Sequence, residues 1–462
     1  MVVTKENHRE LSHFSIESVT DSQPFHCLPP LKCDELTTSA VRNYFLNTWE
    51  LYNALFRAIV HPEALYHNPD PLRHPLIFYL GHTAAFYINK MVMAGLFKES
   101  ERIHPEYEVL FAQGVDPARA EELGKEAWPK EQDVWVYRKQ VKRKILDFIE
   151  QADFSETVTS EHPYWSLMMG LEHDRIHFET SSMLIRQYPV DWLQKPEHWH
   201  YAPIGEVHPE NAWLEVAGGS VELGKPNDFP TFGWDNEYGQ KHIEVKPFEA
   251  TKNLITNGEF LAFVKAGGYT QPSFWSSEGW SWREEFSIAH PRFWREKDGK
   301  WWYRAMWDEL SLPMDWPAEV NGHEAEAYCR WAGGRLLTEA EFVSIANRSK
   351  ARPFDLPFGD EFNVNLHFGS PCPVGMLENA HSIDGFTDVW GNVWNWLSDD
   401  YASLDGFEVH PLYEDFSAPY MDNEHATLLG GSWASSGTSA SRFYRLWFRR
   451  YFYQHAGFRM AR

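Results

Sequence analysis

Two histidines stand four residues apart in the segment "LEHDRIHFETSSMLIRQ", residues 171–187. Residues separated by four positions lie on one face of an α-helix, so His173 and His177 could bind one metal ion together. Glu179 lies roughly 200° around the same helix from His177, and we interpret it as a supporting or packing residue. The spacing alone also fits an ordinary amphipathic helix whose histidines are solvated or bonded within the core.

A third nitrogen ligand is expected from another helix, because three protein ligands with open positions are typical of a catalytic metal. The best candidate is His82 in "YLGHTAAFYINK", where an unpaired imidazole among apolar residues would cost free energy. Taken by itself, His82 could equally be a buried histidine bonded to a backbone carbonyl. Neutral nitrogen ligands suit Fe(II), Zn or Cu, and the sequence does not choose among these metals.

Four helical patterns position these histidines. They cover about residues 36–60, 74–97, 130–152 and 161–187, with Thr37 or Thr38 as an N-cap of the first and Pro75 in the first turn of the second. Apolar stripes on four long helices predict a helical bundle over residues 36–190. Residues 1–35 are predicted to form an extended N-terminal arm.

The composition changes after the fourth helix. Residues 191–211 are predicted to be a proline-rich linker, and residues 212–462 an α+β domain with little regular structure. Two helices are predicted from "TNGEFLAFVKAG" and "NGHEAEAYCRWAG". A third helix is predicted to begin in "GGRLLTEAEF", where Thr338 and Glu341 have the spacing of a capping box. The predicted fold class of the whole chain is α+β.

Bulk composition restricts the possible partners. The 462 residues suggest two or three domains, and 42 basic against 66 acidic side chains give a net charge of -24. Such a polyanion repels nucleic acid and anionic membranes, so small-molecule substrates are expected. Four cysteines are too few for a disulfide scaffold, and we see neither a signal peptide nor a membrane span. A cytoplasmic protein is therefore predicted.

Several motifs occur in a defined order: "LRHPLIFYLGHTAAFYINK", "RIHPEYEVLFAQGVD", "LEHDRIHFETSSMLIRQ", "WGNVWNW", "GGSW" and "QHAGFR". Through them the chain resembles, over about residues 25–462, the 5-histidylcysteine sulfoxide synthases of ovothiol biosynthesis. The resemblance implies a DinB-like four-helix bundle followed by a formylglycine-generating-enzyme-like domain with a C-type-lectin-like core. It also implies a non-haem Fe(II) held by His82, His173 and His177. The enzyme would use O2 to join the sulfur of L-cysteine to the imidazole ring of L-histidine, and to oxidise that sulfur to a sulfoxide.

The same resemblance implies roles for four further residues. An active-site tyrosine lies between the "WGNVW" and "GGSW" motifs, where Tyr413 matches best and could deliver a proton or a hydrogen atom. Tyr420 is the weaker candidate for that role and a candidate substrate-binding residue. Arg138 stands where a substrate-binding arginine is expected, and Arg445 is a second candidate for binding a carboxylate. Without the resemblance, the tyrosines would be loop residues and Arg138 a solvated helix charge.

Two departures from the related families shape the expected function. No methyltransferase segment is found, so a separate methyltransferase and a PLP-dependent lyase are expected to act downstream. The C-terminal domain lacks the paired cysteines with which a formylglycine-generating enzyme binds copper, which argues against sulfatase maturation.

The identity of the acceptor depends on one position. Ergothioneine-type synthases, which act on trimethylated histidine (hercynine), typically have glutamine just before the second helical histidine, and this chain has Ile176 there. This difference favours histidine as the acceptor. The alternatives are an ergothioneine- or selenoneine-type synthase acting on hercynine, a DinB-type zinc enzyme, and a lectin-like binding protein with a vestigial metal site.

Overall fold

A computed structural model describes residues 25–112, 127–350 and 361–462. Residues 1–24 of the predicted arm and the end of the "RIHPEYEVLFAQGVD" motif lie outside these ranges. Five helices form the N-terminal part: α1 Thr38–Arg57, α2 Leu76–Met93, α3 Pro105–Leu110, α4 Glu131–Gln151 and α5 Trp165–Ile185. Each of the four long helices falls inside a range predicted from the sequence. The short α3 was not predicted.

Local chemistry explains where these helices begin. The side chain of Thr37 accepts a hydrogen bond from the backbone N–H of Ala40, so Thr37 rather than Thr38 caps α1. Pro75 is the residue just before α2 and not part of its first turn. In α5, the side chains of only Ile176 and Thr180 are half-exposed and all others are buried. A helix buried on every side lies in the core of the molecule, so α5 is its central helix.

In its described residues, the C-terminal part contains short strands and four α-helices. In chain order the strands are β1 Trp213–Val216, β2 Gly219–Leu223, β3 Lys241–Val245, β4 Phe248–Thr251, β5 Trp294–Lys297, β6 Lys300–Arg304, β7 Glu309–Ser311, β8 Arg335–Leu336, β9 Trp394–Asp400, β10 His425–Leu429, β11 Leu446–Arg449, β12 Ala456–Gly457 and β13 Met460–Ala461. They form two four-stranded sheets, ordered β1-β4-β13-β8 and β11-β10-β9-β12, a β2-β3 pair and a β5-β6-β7 sheet. The β12-β9 pair is parallel, and the other strand pairs are antiparallel.

The four helices of this part are α6 Asn257–Lys265, α7 Ser277–Glu285, α8 Gly322–Trp331 and α9 Glu339–Ala346. Helices α6 and α8 match the two helices predicted from the sequence. The predicted capping box of Thr338 and Glu341 at the start of α9 is confirmed, and α6 and α8 begin with capping boxes of the same kind. Helix α7 was not predicted.

Side chains of α5 bind the C-terminal part directly. The carboxylate of Glu179 accepts hydrogen bonds from Trp394 Nε1 at 2.7 Å, Ser432 Oγ at 2.5 Å and Ser435 Oγ at 3.0 Å. Trp394 belongs to the "WGNVWNW" motif and Ser432 to the "GGSW" motif, and Ser435 follows the latter by two residues. His455 of the "QHAGFR" motif lies 2.9 Å from Ser182 Oγ. The glycine-containing motifs therefore join the two parts of the chain at the helix that carries two of the candidate ligands.

In the described ranges, no helix combines the length and apolar composition that crossing a membrane requires.

Candidate metal centre

The three predicted ligands lie together between α2 and α5. His82, His173 and His177 are all buried, and each offers one ligand atom within 4.8 Å of the other two. The ring of His82 lies 5.0 Å from that of His173 and 4.6 Å from that of His177, between ring centroids. His173 and His177 are at least 91 positions from His82 in the sequence, yet all three lie close enough together to share a single ion.

Hydrogen bonding in this cluster leaves nitrogen atoms unpaired. His82 Nδ1 lies 2.6 Å from the carbonyl oxygen of Phe111, so Nδ1 carries the proton and Nε2 has a free lone pair. Among the described residues, no partner binds His82 Nε2, either ring nitrogen of His173, or His177 Nδ1. Unpaired polar atoms in the core are costly, and a metal ion would satisfy them. The residues present therefore fit a metal ion held by three imidazoles.

The protonation state of the histidines also suits a metal. Burial lowers the pKa of His82 to about 4. Burial, together with the neighbouring imidazoles, holds the pKa of His173 and of His177 well below the ordinary value. All three rings are consequently neutral near pH 7, and neutral imidazole is the form that binds a metal.

Aromatic side chains fix the orientation of the imidazole rings. Phe86 stacks on His173 with a centroid distance of 3.5 Å, and Phe78 stacks on His82 at 4.9 Å. The ring of Tyr79 lies 5.9 Å from that of His177. These contacts make the surroundings of the cluster apolar, which limits the access of water.

The structure places Tyr413 beside this cluster. Its ring lies 6.1 Å from that of His173 and 5.2 Å from that of Phe86, in edge-to-face arrangements. Burial raises the pKa of the Tyr413 phenol above its usual value, so the phenol is protonated at neutral pH. Tyr420 stacks on Trp447 at 3.9 Å, and the ring of Phe416 lies between Trp447 and Tyr413. The role of Tyr420 in binding substrate stays a prediction.

Arg138 of α4 lies among the helices of the N-terminal part. It is buried, and its guanidinium donates to the carbonyl oxygen of Leu80 and to Thr83 Oγ1, both at 2.8 Å, and to Asn53 Oδ1 at 3.0 Å. It also lies over the ring of Trp49. Arg138 thus bridges α4 to α1 and α2. The solvated helix charge considered for it is wrong, and its role in binding substrate stays a prediction.

Arg445 lies within the C-terminal part. Its guanidinium forms an ion pair with Glu339 at 2.7 Å and donates to the carbonyl oxygens of Ala402 and Asn236. The structure does not bring Arg445 to the histidines through any of these contacts. Its assignment as a carboxylate-binding residue also stays a prediction.

Three residues at the centre were missed in the sequence. Phe86 and Lys90 follow His82 by four and eight positions, so helical periodicity could have placed them on the same face of α2. Lys90 Nζ lies 4.1 Å from the centroid of the Tyr413 ring. The ring of Trp234 lies 6.3 Å from that of Tyr413, and no pattern in the sequence indicated this contact.

Comparison with known families fits this architecture. Residues 203–462 match the family model described as the sulfatase-modifying factor enzyme 1-like domain. The chain belongs to this family. Residues 44–181 match the model of the DinB superfamily, which covers the helices that carry the three histidines. The predicted fold class, a DinB-like helical domain followed by a formylglycine-generating-enzyme-like domain, is confirmed. The exact domain boundaries stay predictions.

A hercynine oxygenase of Mycolicibacterium smegmatis is 27% identical to this chain, over 83% of this chain and 89% of that protein. A hercynine oxygenase of Mycobacterium tuberculosis is 33% identical over 49% of this chain and 55% of that protein. Ergothioneine biosynthesis protein 1 of Schizosaccharomyces pombe is 25% identical over 80% of this chain and 49% of that protein. The chain spans about half the length of the latter two. The predicted class of enzyme, an oxygenase, is confirmed by these relatives, whereas the ovothiol-specific part of the prediction is not.

Proposed function

We propose that this chain is a non-haem Fe(II)- and O2-dependent sulfoxide synthase. It would join the sulfur of a cysteine-type thiol to the imidazole ring of a histidine derivative and oxidise that sulfur to a sulfoxide. The thiol hydrogen and the ring hydrogen leave with one oxygen atom as water, and the other oxygen atom remains on sulfur. The observation that carries the proposal is the buried cluster of His82, His173 and His177, with unpaired nitrogens, beside Tyr413.

The protein residues would hold the iron, orient its histidine ligands and donate a proton. The three imidazoles would hold the iron, which when bound supplies a site for the thiolate and for O2. The carbonyl of Phe111 fixes the tautomer of His82, a contact that orients metal-binding histidines. Phe78 and Phe86 shield the cluster from water. The protonated phenol of Tyr413 would donate its proton during formation of the carbon–sulfur bond.

Hercynine is the acceptor that the comparisons favour. Two of the reported relatives are named hercynine oxygenases, and a third takes its name from ergothioneine biosynthesis. Histidine is the second candidate, because Ile176 stands where the ergothioneine-type enzymes typically have glutamine. Ile176 is half-exposed on the helix that carries His173 and His177. For either acceptor, a PLP-dependent lyase would be needed downstream to release the thiol. Methylation of the product would follow in the histidine case.

The test is a competition between the two acceptors. Purified protein is loaded anaerobically with Fe(II) and then given O2, cysteine and an equimolar mixture of histidine and hercynine, and the products are analysed by mass spectrometry. A hercynine–cysteine sulfoxide is the expected product, and a histidine–cysteine sulfoxide would establish the second candidate. The matched control is the same protein loaded with Zn(II). Absence of both adducts from the iron-loaded protein would contradict the proposed function.

A further inference from the structure

The three histidines and Tyr413 belong to different parts of the chain. The histidines lie on α2 and α5 of the DinB-like bundle, whereas Tyr413 lies in the C-terminal domain, between β9 and β10. The position of the phenol relative to the histidines therefore depends on contacts that cross between the two domains. Catalysis is sensitive to such placement, since displacements of about 1 Å can cost 100-fold in rate.

One of these contacts is made by Lys90. Its ammonium lies 2.5 Å from the carbonyl oxygen of Leu412, the residue before Tyr413. The same nitrogen lies 4.1 Å from the centroid of the Tyr413 ring and 5.0 Å from that of Phe86. A cation over an aromatic face is attracted to it, and the attraction is larger when water is excluded. Lys90 thus binds both the backbone and the ring of the segment that carries the phenol.

A second contact is made by His410, within the same segment. The backbone N–H of Leu412 donates to His410 Nδ1 at 3.2 Å, so this nitrogen is unprotonated. The proton of the neutral ring is then on Nε2, which lies 3.1 Å from the carbonyl oxygen of Ser160 and donates to it. The backbone N–H of Tyr413 donates to the carbonyl oxygen of His410 at 2.9 Å. His410 consequently ties the turn that ends at Tyr413 to the segment preceding α5.

We propose that Lys90 and His410 form a clamp that positions Tyr413 against the histidine cluster. Through these contacts the turn of residues 410–413 is bound to two elements of the N-terminal part, α2 and the segment before α5. Both are positioning residues, since neither is placed to touch a substrate by the contacts described. The consequence for the reaction rests on the proposed function, whereas the clamp itself does not.

The first test measures the turn directly, without any reaction. Hydrogen–deuterium exchange of the full-length protein is followed by mass spectrometry for peptides covering residues 405–416. In Lys90→Met and in His410→Ala, these peptides should exchange at least about 10-fold faster than in the wild type, because hydrogen bonds of the turn open more often. Lys98→Met is the matched control, since Lys98 is exposed, and should exchange as the wild type. Wild-type exchange in both variants would overturn the clamp.

The second test measures the consequence for the reaction. Lys90→Met should keep its iron content but shift the product from the sulfoxide adduct toward cysteine sulfinic acid, in the same direction as Tyr413→Phe. Adding Lys90→Met to Tyr413→Phe should cause no further shift. Faster exchange with an unchanged product ratio would overturn the positioning of Tyr413 by the clamp. If the wild type forms no sulfoxide at all, the proposed function fails, and the exchange experiment still decides the clamp.

Discussion

At the scale of single residues, the unpaired ring nitrogens determine what the cluster can bind. His177→Ala removes one of three imidazoles, and the remaining two cannot complete the ligand set. We expect the iron affinity to fall by about 100-fold or more and both the sulfoxide and the sulfinic acid to disappear. Metal content after dialysis, measured by elemental analysis, checks the first effect. The exposed His198→Ala is the control. Full iron occupancy in His177→Ala would refute the assignment of this ligand.

Tyr413 is predicted to act on the product and not on metal binding. Tyr413→Phe keeps the ring that packs on Phe86 but removes the phenol proton. We expect normal iron content and a shift toward cysteine sulfinic acid, because oxidation of a thiolate by O2 needs no coupling to imidazole. The product ratio is measured by mass spectrometry. Tyr66→Phe is the matched control and should behave as the wild type, since Tyr66 is exposed and its hydroxyl contacts only the backbone of Pro129 and Glu131 among the hydrogen bonds described. An unchanged ratio in Tyr413→Phe would exclude the role.

The sequence could pair His173 with His177 because helical spacing is a local property, whereas His82 was assigned from its apolar surroundings and from the family resemblance. The sequence could not decide between Tyr413 and Tyr420, since both lie in irregular segments whose position depends on packing against other parts of the chain. For Arg138, the sequence showed a charge on a helix but not that this face of α4 is covered by Asn53 and Leu80. A helical pattern shows which residues share a face and not which element covers that face.

At the scale of elements, the long helices were predictable because their apolar periodicity and end signals agree. The capping pair of Thr338 and Glu341 is an example, since both of its hydrogen bonds form within four residues. The short α3 was not predicted, because six residues give too few turns for a clear period. Helix α7 is as long as the predicted α6, but Gly279 stands where α6 has the glutamate of its capping box, so no such signal marks its start. The strand order β11-β10-β9-β12 could not be predicted from the sequence either, because β12 pairs with β9 from a distant part of the chain.

The central helix α5 depends on the C-terminal domain to satisfy its buried carboxylate. Glu179→Ala leaves the donors Trp394 Nε1, Ser432 Oγ and Ser435 Oγ without their acceptor. We expect a loss of about 3 kcal/mol in the free energy of unfolding. Glu179→Gln should be tolerated far better, because its amide oxygen can accept from Trp394 and Ser432 while its amide nitrogen donates to Ser435. Chemical denaturation of both variants measures the difference. Equal losses in the two variants would contradict this account of the interface.

At the scale of the whole molecule, the candidate centre is formed by segments that are far apart in the sequence. His82, His173 and Tyr413 meet because α5 packs against both α2 and the C-terminal domain. The motif "QHAGFR" contributes to this packing through His455, which contacts Ser182 and lies 3.2 Å from Glu319. This motif therefore contributes to the assembly of the two parts of the chain.

The stability of the whole chain should depend on pH through a buried carboxyl group in α8. Burial raises the pKa of Glu324 from 4.5 to about 7, although hydrogen bonds from Tyr269 Oη and the backbone N–H of Asn321 partly offset this effect. Below about pH 4.5 the group is protonated in both the folded and the unfolded chain, and its contribution to stability is fully present. As the pH rises, the unfolded chain ionises first. The contribution is therefore lost progressively as the pH rises through about 7, by about 3 kcal/mol in total.

Glu324→Gln resembles the protonated carboxyl group at every pH, because its amide can accept from the N–H of Asn321 and donate to Tyr269 Oη. We expect its free energy of unfolding to fall less than that of the wild type between pH 5 and pH 8, and to exceed that of the wild type at pH 8. Denaturant titrations at several pH values measure both quantities. Glu259→Gln alters the corresponding capping residue of α6 and should keep the wild-type slope. If Glu324→Gln also keeps that slope, the proton is not held by Glu324. The buried polar contacts around α8 then contribute equally to stability across this pH range.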